Sequence, residues 1–136
     1  MPDRLELPPY AQMMGIHIDA ERSERAVPVL AMPFGNQHAG APGILHGGAI
    51  AGLLDMAASA ALQASLIAAG QSPIFKPIGI TIDYMRAGKH QTTWARGRVT
   101  RVGSRVATVV VEAWQDEDRR TIAAARLHML LAGSPG

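Results

Sequence analysis

The chain has no cysteine among its 136 residues, and only 4% of it is aromatic. The first absence excludes disulfides and thiolate chemistry and fits a reducing compartment. The second removes the stacking platforms on which single-stranded nucleic acids are held. An excess of one charge is lacking too, since 13 basic and 11 acidic residues leave a formal +2, too little to suggest a nucleic-acid partner. Met1 to Pro9 is charged and proline-rich, without the apolar run of a signal peptide, so the expected location is the cytoplasm. What is present is apolar material, 48% of the residues, enough for one core in a chain of single-domain length. Residues 1–136 are therefore read as one domain. Arginines cluster at Arg96, Arg98, Arg101 and Arg105 and again at Arg119, Arg120 and Arg126, a local basicity suited to a polyanionic small molecule.

Pro9 to Gly15 reads as a short helix or turn, followed by extended segments at Ile16–Ala20 and Ala26–Met32 with a turn at Glu21–Arg25. Pro33 to Leu45 holds Gly35, Gly40, Pro42 and Gly43 and is expected to be irregular. From Gly47 to about Ala69 alanine and leucine dominate without proline, which predicts one long helix. Asp55, Ser59, Gln63 and Ser65 fall inside it and alanine gains little from lipid, so a buried helix is expected rather than a membrane span. Gly48, Gly52, Asp55, Ser59 and Gln63 share one small and polar face, while Ile50, Leu53, Leu54, Ala57, Ala61 and Leu62 line the rest.

Downstream, Ile78, Ile80, Ile82 and Tyr84 alternate as in a strand. Thr92–Val102 and Val106–Gln115 form a hairpin pattern. A three-residue loop, Gly103-Ser104-Arg105, would pair Val102 with Val106, Thr100 with Thr108, Val99 with Val109, Arg96 with Glu112, Ala95 with Ala113 and Trp94 with Trp114. Asp116–Arg120 reads as a turn, Thr121–Leu131 as the last strand, and the tail from Ala132 is expected to fray. The sum is an α+β domain in which an antiparallel sheet wraps one long buried helix.

The stretch His46-Gly47-Gly48-Ala49-Ile50-Ala51-Gly52-Leu53-Leu54-Asp55 sets a glycine turn before a nearly all-apolar helix with one carboxylate two turns in. Burying an ionised carboxylate without partners costs several kcal/mol, so Asp55 is paired, exposed at an interface, or functional. Gly47 and Gly48 leave N–H groups unshielded at the helix start, where unsatisfied donors and the dipole favour developing negative charge. His38, His46 and Asp55 match no standard metal-ligand spacing, because the gap between the histidines crosses a proline-glycine loop. No metal is expected.

The order of elements, with Leu45-His46-Gly47-Gly48 and Asp55 nine positions after His46, then Ile80-Thr81-Ile82-Asp83-Tyr84-Met85-Arg86 and Arg101-Val102-Gly103-Ser104-Arg105, resembles the hotdog-fold acyl-CoA thioesterases of the phenylacetate-pathway, PaaI-like branch. The resemblance covers nearly the whole chain. It implies that Asp55 is the catalytic nucleophile or general base, that the Gly47 N–H polarises the thioester oxygen, and that His46 positions the turn with Gly48 beside it. Many relatives carry an asparagine six residues before the histidine, where this chain has Gly40. Asn36 is the candidate replacement if the loop folds back, and a strand hydroxyl of some relatives aligns with Pro77. Arg86, Arg101 and Arg105 are candidates for the phosphates of coenzyme A, and Ser59 for a substrate contact.

The implied activity is hydrolysis of a medium-chain or aryl-acetyl coenzyme A thioester without a cofactor. Two other readings remain open: an enoyl-CoA hydratase or dehydratase on the same fold, suggested by His38-Ala39-Gly40-Ala41-Pro42-Gly43, and a non-catalytic acyl-CoA binding module. Gly47 and Asp55 lie about 12 Å apart along one helix, yet both must come within about 3.5 Å of one thioester. The expectation is therefore a homodimer, or a tetramer of such dimers, in which copies packed through Gly48, Gly52 and Ser59 share two sites. Neither nucleic acid nor membrane is expected as a partner.

Overall fold

In the computed structural model, residues 5–24, 26–116 and 120–132 are described. Residues 117–119 of the expected turn and residues 133–136 of the expected frayed tail lie outside them. The chain opens with helix α1 (Pro9–Met13), which starts on a proline and ends at Gly15 with φ 70°. Proline suits the first helical position and glycine the left-handed stop. Short strands β1 (His17–Ile18) and β2 (Val29–Met32) follow, then a 3-10 turn at Asn36–His38 inside the loop expected to be irregular.

Helix α2 (Gly47–Ala68) fills the position expected for it. It ends in two reversed bonds, Gly70 N–H to the Ile67 carbonyl (3.0 Å) and Gln71 N–H to the Leu66 carbonyl (2.9 Å), with Gly70 at φ 69°. This is the Schellman arrangement, which satisfies carbonyls the helix leaves over. By length and composition α2 could cross a bilayer, but its apolar residues, Ile50, Leu53, Leu54 and Leu62 among them, are buried within the domain. Gly48, Gly52, Asp55, Ser59 and Gln63 stay more open on the remaining face.

Strands β3 (Phe75–Tyr84), β4 (Thr93–Val102), β5 (Val106–Trp114) and β6 (Thr121–Leu131) complete one antiparallel sheet of order β1-β2-β4-β5-β6-β3. Helix α2 lies chiefly on β4 and β5, where Ala95, Ala107, Val109 and Ala113 face it and are fully buried. Its approach depends on Gly97: a Cβ there would sit 2.9 Å from the Ala61 Cβ and 3.0 Å from the Ala57 carbonyl oxygen.

The hairpin register agrees with expectation from Trp94–Trp114 to Val99–Val109 and then departs from it. Arg101, not Thr100, pairs with Thr108, and Val102 pairs with Ala107 rather than Val106. The loop closes more tightly than three residues allow, with Gly103 N–H donating to the Val106 carbonyl at 2.9 Å. A bulge at Thr100 absorbs the extra residue and restores the inward alternation, and the Thr100 hydroxyl donates to the Thr108 carbonyl at 3.2 Å.

Strand β3 stands at the sheet edge, paired only with β6. Ile78 and Ile80 on it are 55% and 48% exposed, and Met85 just after it is 55% exposed. An edge strand with open main-chain groups and uncovered isoleucines invites further pairing.

Candidate active site

The turn before α2 is held from two sides. His46 N–H donates to the His38 carbonyl at 2.7 Å, and His38 is itself completely buried. Its Nδ1 accepts from Gly35 N–H at 3.0 Å, so Nε2 carries the proton and donates to the Met14 carbonyl at 2.7 Å. Both ring nitrogens are thus occupied within the protein, and His38 ties α1 to the loop. Gly40 lies against the backbone of His46, where a Cβ would come within 3.0 Å of the His46 Cα and 3.1 Å of its nitrogen. A side chain at this position would press on that backbone.

His46 is the N-cap of α2, its Nδ1 accepting from Gly48 N–H at 2.8 Å. That bond consumes the Gly48 donor. The His46 carbonyl accepts from Ala49 and Ile50 at 3.0 and 3.3 Å, so the antiparallel N–H of the same peptide, that of Gly47, points away from the helix body. No acceptor among the described residues takes it. On its other side Gly47 meets Tyr84, whose hydroxyl donates to the Gly47 carbonyl at 2.9 Å.

Two turns along, Asp55 is half-buried, and its Oδ1 is buried without a hydrogen-bond partner among the described residues. Burial raises its pKa above the ordinary 3.8, through desolvation. The N-terminal segment runs beside this face. Glu6 N–H donates to the Gln63 side chain at 2.7 Å, while Tyr10 from α1 fills the space over Gly52, where a Cβ would collide with its hydroxyl. The small-residue face is therefore covered in part by the chain's own N-terminal segment.

The other candidates divide. Arg86 lines a cavity of about 330 Å³ together with Gly47, Ile50 and Tyr84. Ser59 shares the half-open face of α2 with Asp55. Asn36 is exposed in the 3-10 turn, and no hydrogen bond ties its side chain to Gly47 or Asp55 among the described residues. Arg101 and Arg105 are not brought to the turn within one chain. Arg101 pairs with Thr108, which stands opposite His128 and so on the row of Gly79. That row is five residues from Tyr84, about 17 Å along the strand, and faces away from α2. Pro77 lies further along the same strand, beside a bulge. A larger groove of about 690 Å³ on that outer face, among Arg96, Arg98, Arg126, Asp83 and Glu112, contains neither Gly47 nor Asp55.

Neither Tyr84 nor Tyr10 carries a functional mark in the sequence. Tyr84 ends an alternating strand, and an aromatic with a polar tip at that position signals a hydrogen bond to something nearby, but only the packing of β3 beside α2 shows to what.

A family model of the thioesterase superfamily matches residues 42–122, from the glycine-rich loop into β6. The chain belongs to the thioesterase superfamily. Its helix wrapped by an antiparallel sheet is the hotdog fold. Among solved structures similar to this superfamily member is a Shewanella oneidensis protein related to the thioesterase superfamily, at TM-score 0.79 and 24% identity, covering 92% of this chain and 88% of that one. The Escherichia coli PaaI protein from the phenylacetic acid degradation operon is similar at TM-score 0.77 and 22% identity, over 93% and 86% of the two chains. A phenylacetic acid degradation-related protein of Ralstonia eutropha matches at TM-score 0.75 and 20% identity, over 93% and 92%. No curated protein matches the chain in sequence.

Proposed function

We propose that this superfamily member hydrolyses an acyl-coenzyme A thioester, medium-chain or aryl-acetyl, to the free acid and coenzyme A. The observation that carries the reading is Asp55, a desolvated carboxylate with a partnerless buried oxygen on the same helix whose first free N–H belongs to Gly47. In the general-base form, Asp55 takes a proton from water as the water oxygen bonds to the thioester carbon. The oxyanion that forms accepts from Gly47 N–H, and the C–S bond then breaks, the thiolate leaving and recovering a proton. In the nucleophile form Asp55 attacks the same carbon directly, the C–S bond breaks as the coenzyme A thiolate leaves and takes up a proton, and water hydrolyses the resulting anhydride to the free acid and the Asp55 carboxylate.

Because the two groups are about 12 Å apart on α2, the working site needs Gly47 of one copy and Asp55 of another. The open β3 edge, with Ile78 and Ile80 exposed, supports assembly by strand pairing, and Tyr10 over Gly52 disfavours the close helix contact through that glycine. We place the coenzyme A phosphates near Arg86, with Arg101 and Arg105 reaching them only from a second copy. The hydratase reading needs a free imidazole at His38, which is committed on both nitrogens.

Thiol release from a panel of acyl-coenzyme A thioesters tests the proposal. The wild type is expected to turn over at least one class, and Asp55→Asn to lose at least about a hundredfold in kcat while remaining folded. Near-normal turnover by Asp55→Asn would make Asp55 structural. Saturable acyl-CoA binding by the wild type without thiol release would mark a binding module instead.

A further inference from the structure

We infer that the Tyr84 hydroxyl is a positioning group for this reaction, pinning the first turn of α2 so that the Gly47 N–H keeps its aim at the thioester oxygen. The inference rests on the thioesterase reading above and assigns Tyr84 a part in the same site.

Gly47 and Gly48 follow one another at the start of a helix, where no Cβ restricts the backbone and the first N–H groups lack helical partners. Left to themselves these residues would fray, and an oxyanion donor that wanders loses its effect, since about 1 Å of misplacement can cost a hundredfold in rate. The structure holds the turn by pinning both peptides that flank the Gly47 Cα. The peptide before it is fixed through the His46 carbonyl, which accepts from Ala49 and Ile50. The peptide after it is gripped at both ends: Tyr84 donates to its oxygen at 2.9 Å, and its N–H, that of Gly48, is taken by His46 Nδ1 at 2.8 Å. With both planes set, the direction of the Gly47 N–H is set as well.

Tyr84 suits this part because it comes from outside the glycine turn. It is the last residue of β3, and the sheet at that point is anchored by the pairing of Tyr84 with the buried Ala123. The ring edge also lies 3.5 Å from where a Gly47 Cβ would be, an ordinary contact that walls one side of the donor. The hydroxyl thus carries the rigidity of the sheet into a turn whose own residues supply little.

The test is Tyr84→Phe, which keeps the ring contact and deletes only the hydroxyl. Thiol release is expected to show kcat down about tenfold with KM within about twofold, the pattern of an interaction felt only at the transition state. The melting temperature should stay within about 2 °C. By amide hydrogen exchange, the Gly48 N–H should exchange at least about fivefold faster than in the wild type, as expected when a local restraint is lost. A kcat within twofold of wild type would overturn the inference. So would a loss of kcat with Gly48 exchange unchanged, since Tyr84 would then act on the substrate directly. If the wild type releases no thiol from any acyl-coenzyme A, the thioesterase reading fails by itself, and unchanged Gly48 exchange in Tyr84→Phe would still separately refute the clamp.

Discussion

At the scale of single residues the proposed chemistry rests on a carboxylate held where a carboxylate is unfavourable. Desolvation raises the Asp55 pKa above 3.8, so the folded state binds its proton more tightly than the unfolded chain does. Stability contributed at this site therefore falls as pH rises from the unfolded value through the raised folded one, and the full penalty stands above both. Asp55→Asn is expected to melt higher than wild type at pH 7, with the difference vanishing below about pH 3, as followed by circular dichroism. In the wild type the acid limb of kcat/KM should lie above the ordinary 3.8 of this side chain. Gly40 gives a second residue-scale outcome. Because His46 backbone atoms stand 3.0 and 3.1 Å from its would-be Cβ, Gly40→Asn should cost about 1–3 kcal/mol in urea denaturation and should not raise the rate.

At the scale of elements, the site depends on how closely α2 lies on the sheet. Gly97 meets Ala57, Ala58 and Ala61 across that contact, and the atoms its Cβ would touch are backbone or first side-chain carbons that cannot rotate away. Gly97→Ala is expected to destabilise by about 1–3 kcal/mol. Adding Ala61→Gly should return part of the loss, so that the double variant costs less than the sum of its parts in a denaturation cycle. The Thr100 bulge belongs to the same scale. Cross-strand preferences alone cannot foresee it, because the tight closure at Gly103 and the inward alternation of Ala107 and Val109 conflict by one residue, and only an extra residue in β4 reconciles them.

At the scale of the whole molecule, one chain carries both the proposed donor and the proposed base, yet at about 12 Å along α2 it cannot bring both to one thioester. Gly47→Pro removes the N–H at a position that follows an extended residue, His46 at φ −65° and ψ 133°, a conformation that tolerates a following proline. Mixed in equal amounts with Asp55→Ala and allowed to exchange subunits, it should regain roughly a quarter of wild-type activity, since half the dimers would be mixed and each would hold one intact site of two. Mixtures that stay inactive despite subunit exchange seen by native mass spectrometry, with both variants folded, would exclude a site shared in this way.

Local composition and pattern determined the main elements: alanine and leucine without proline from Gly47 to Ala68, alternation from Ala125 to Met129 in β6, and paired residues from Trp94–Trp114 to Val99–Val109 follow from backbone geometry, whereas the expected strands at Ile16–Ala20 and Ala26–Met32 shorten to His17–Ile18 and Val29–Met32. The glycine turn and the isolated Asp55 were legible for the same reason, as breaks in an otherwise apolar run. What surrounds them was not. That His38 is a buried tie rather than a base, that Gly40 lies close against the His46 backbone, that Tyr10 covers Gly52 and that Tyr84 holds Gly47 are contacts between residues up to dozens of positions apart. Such pairings are decided only when the helix and sheet close on each other, because a residue's type records which partners it can satisfy and not which one the fold brings within reach.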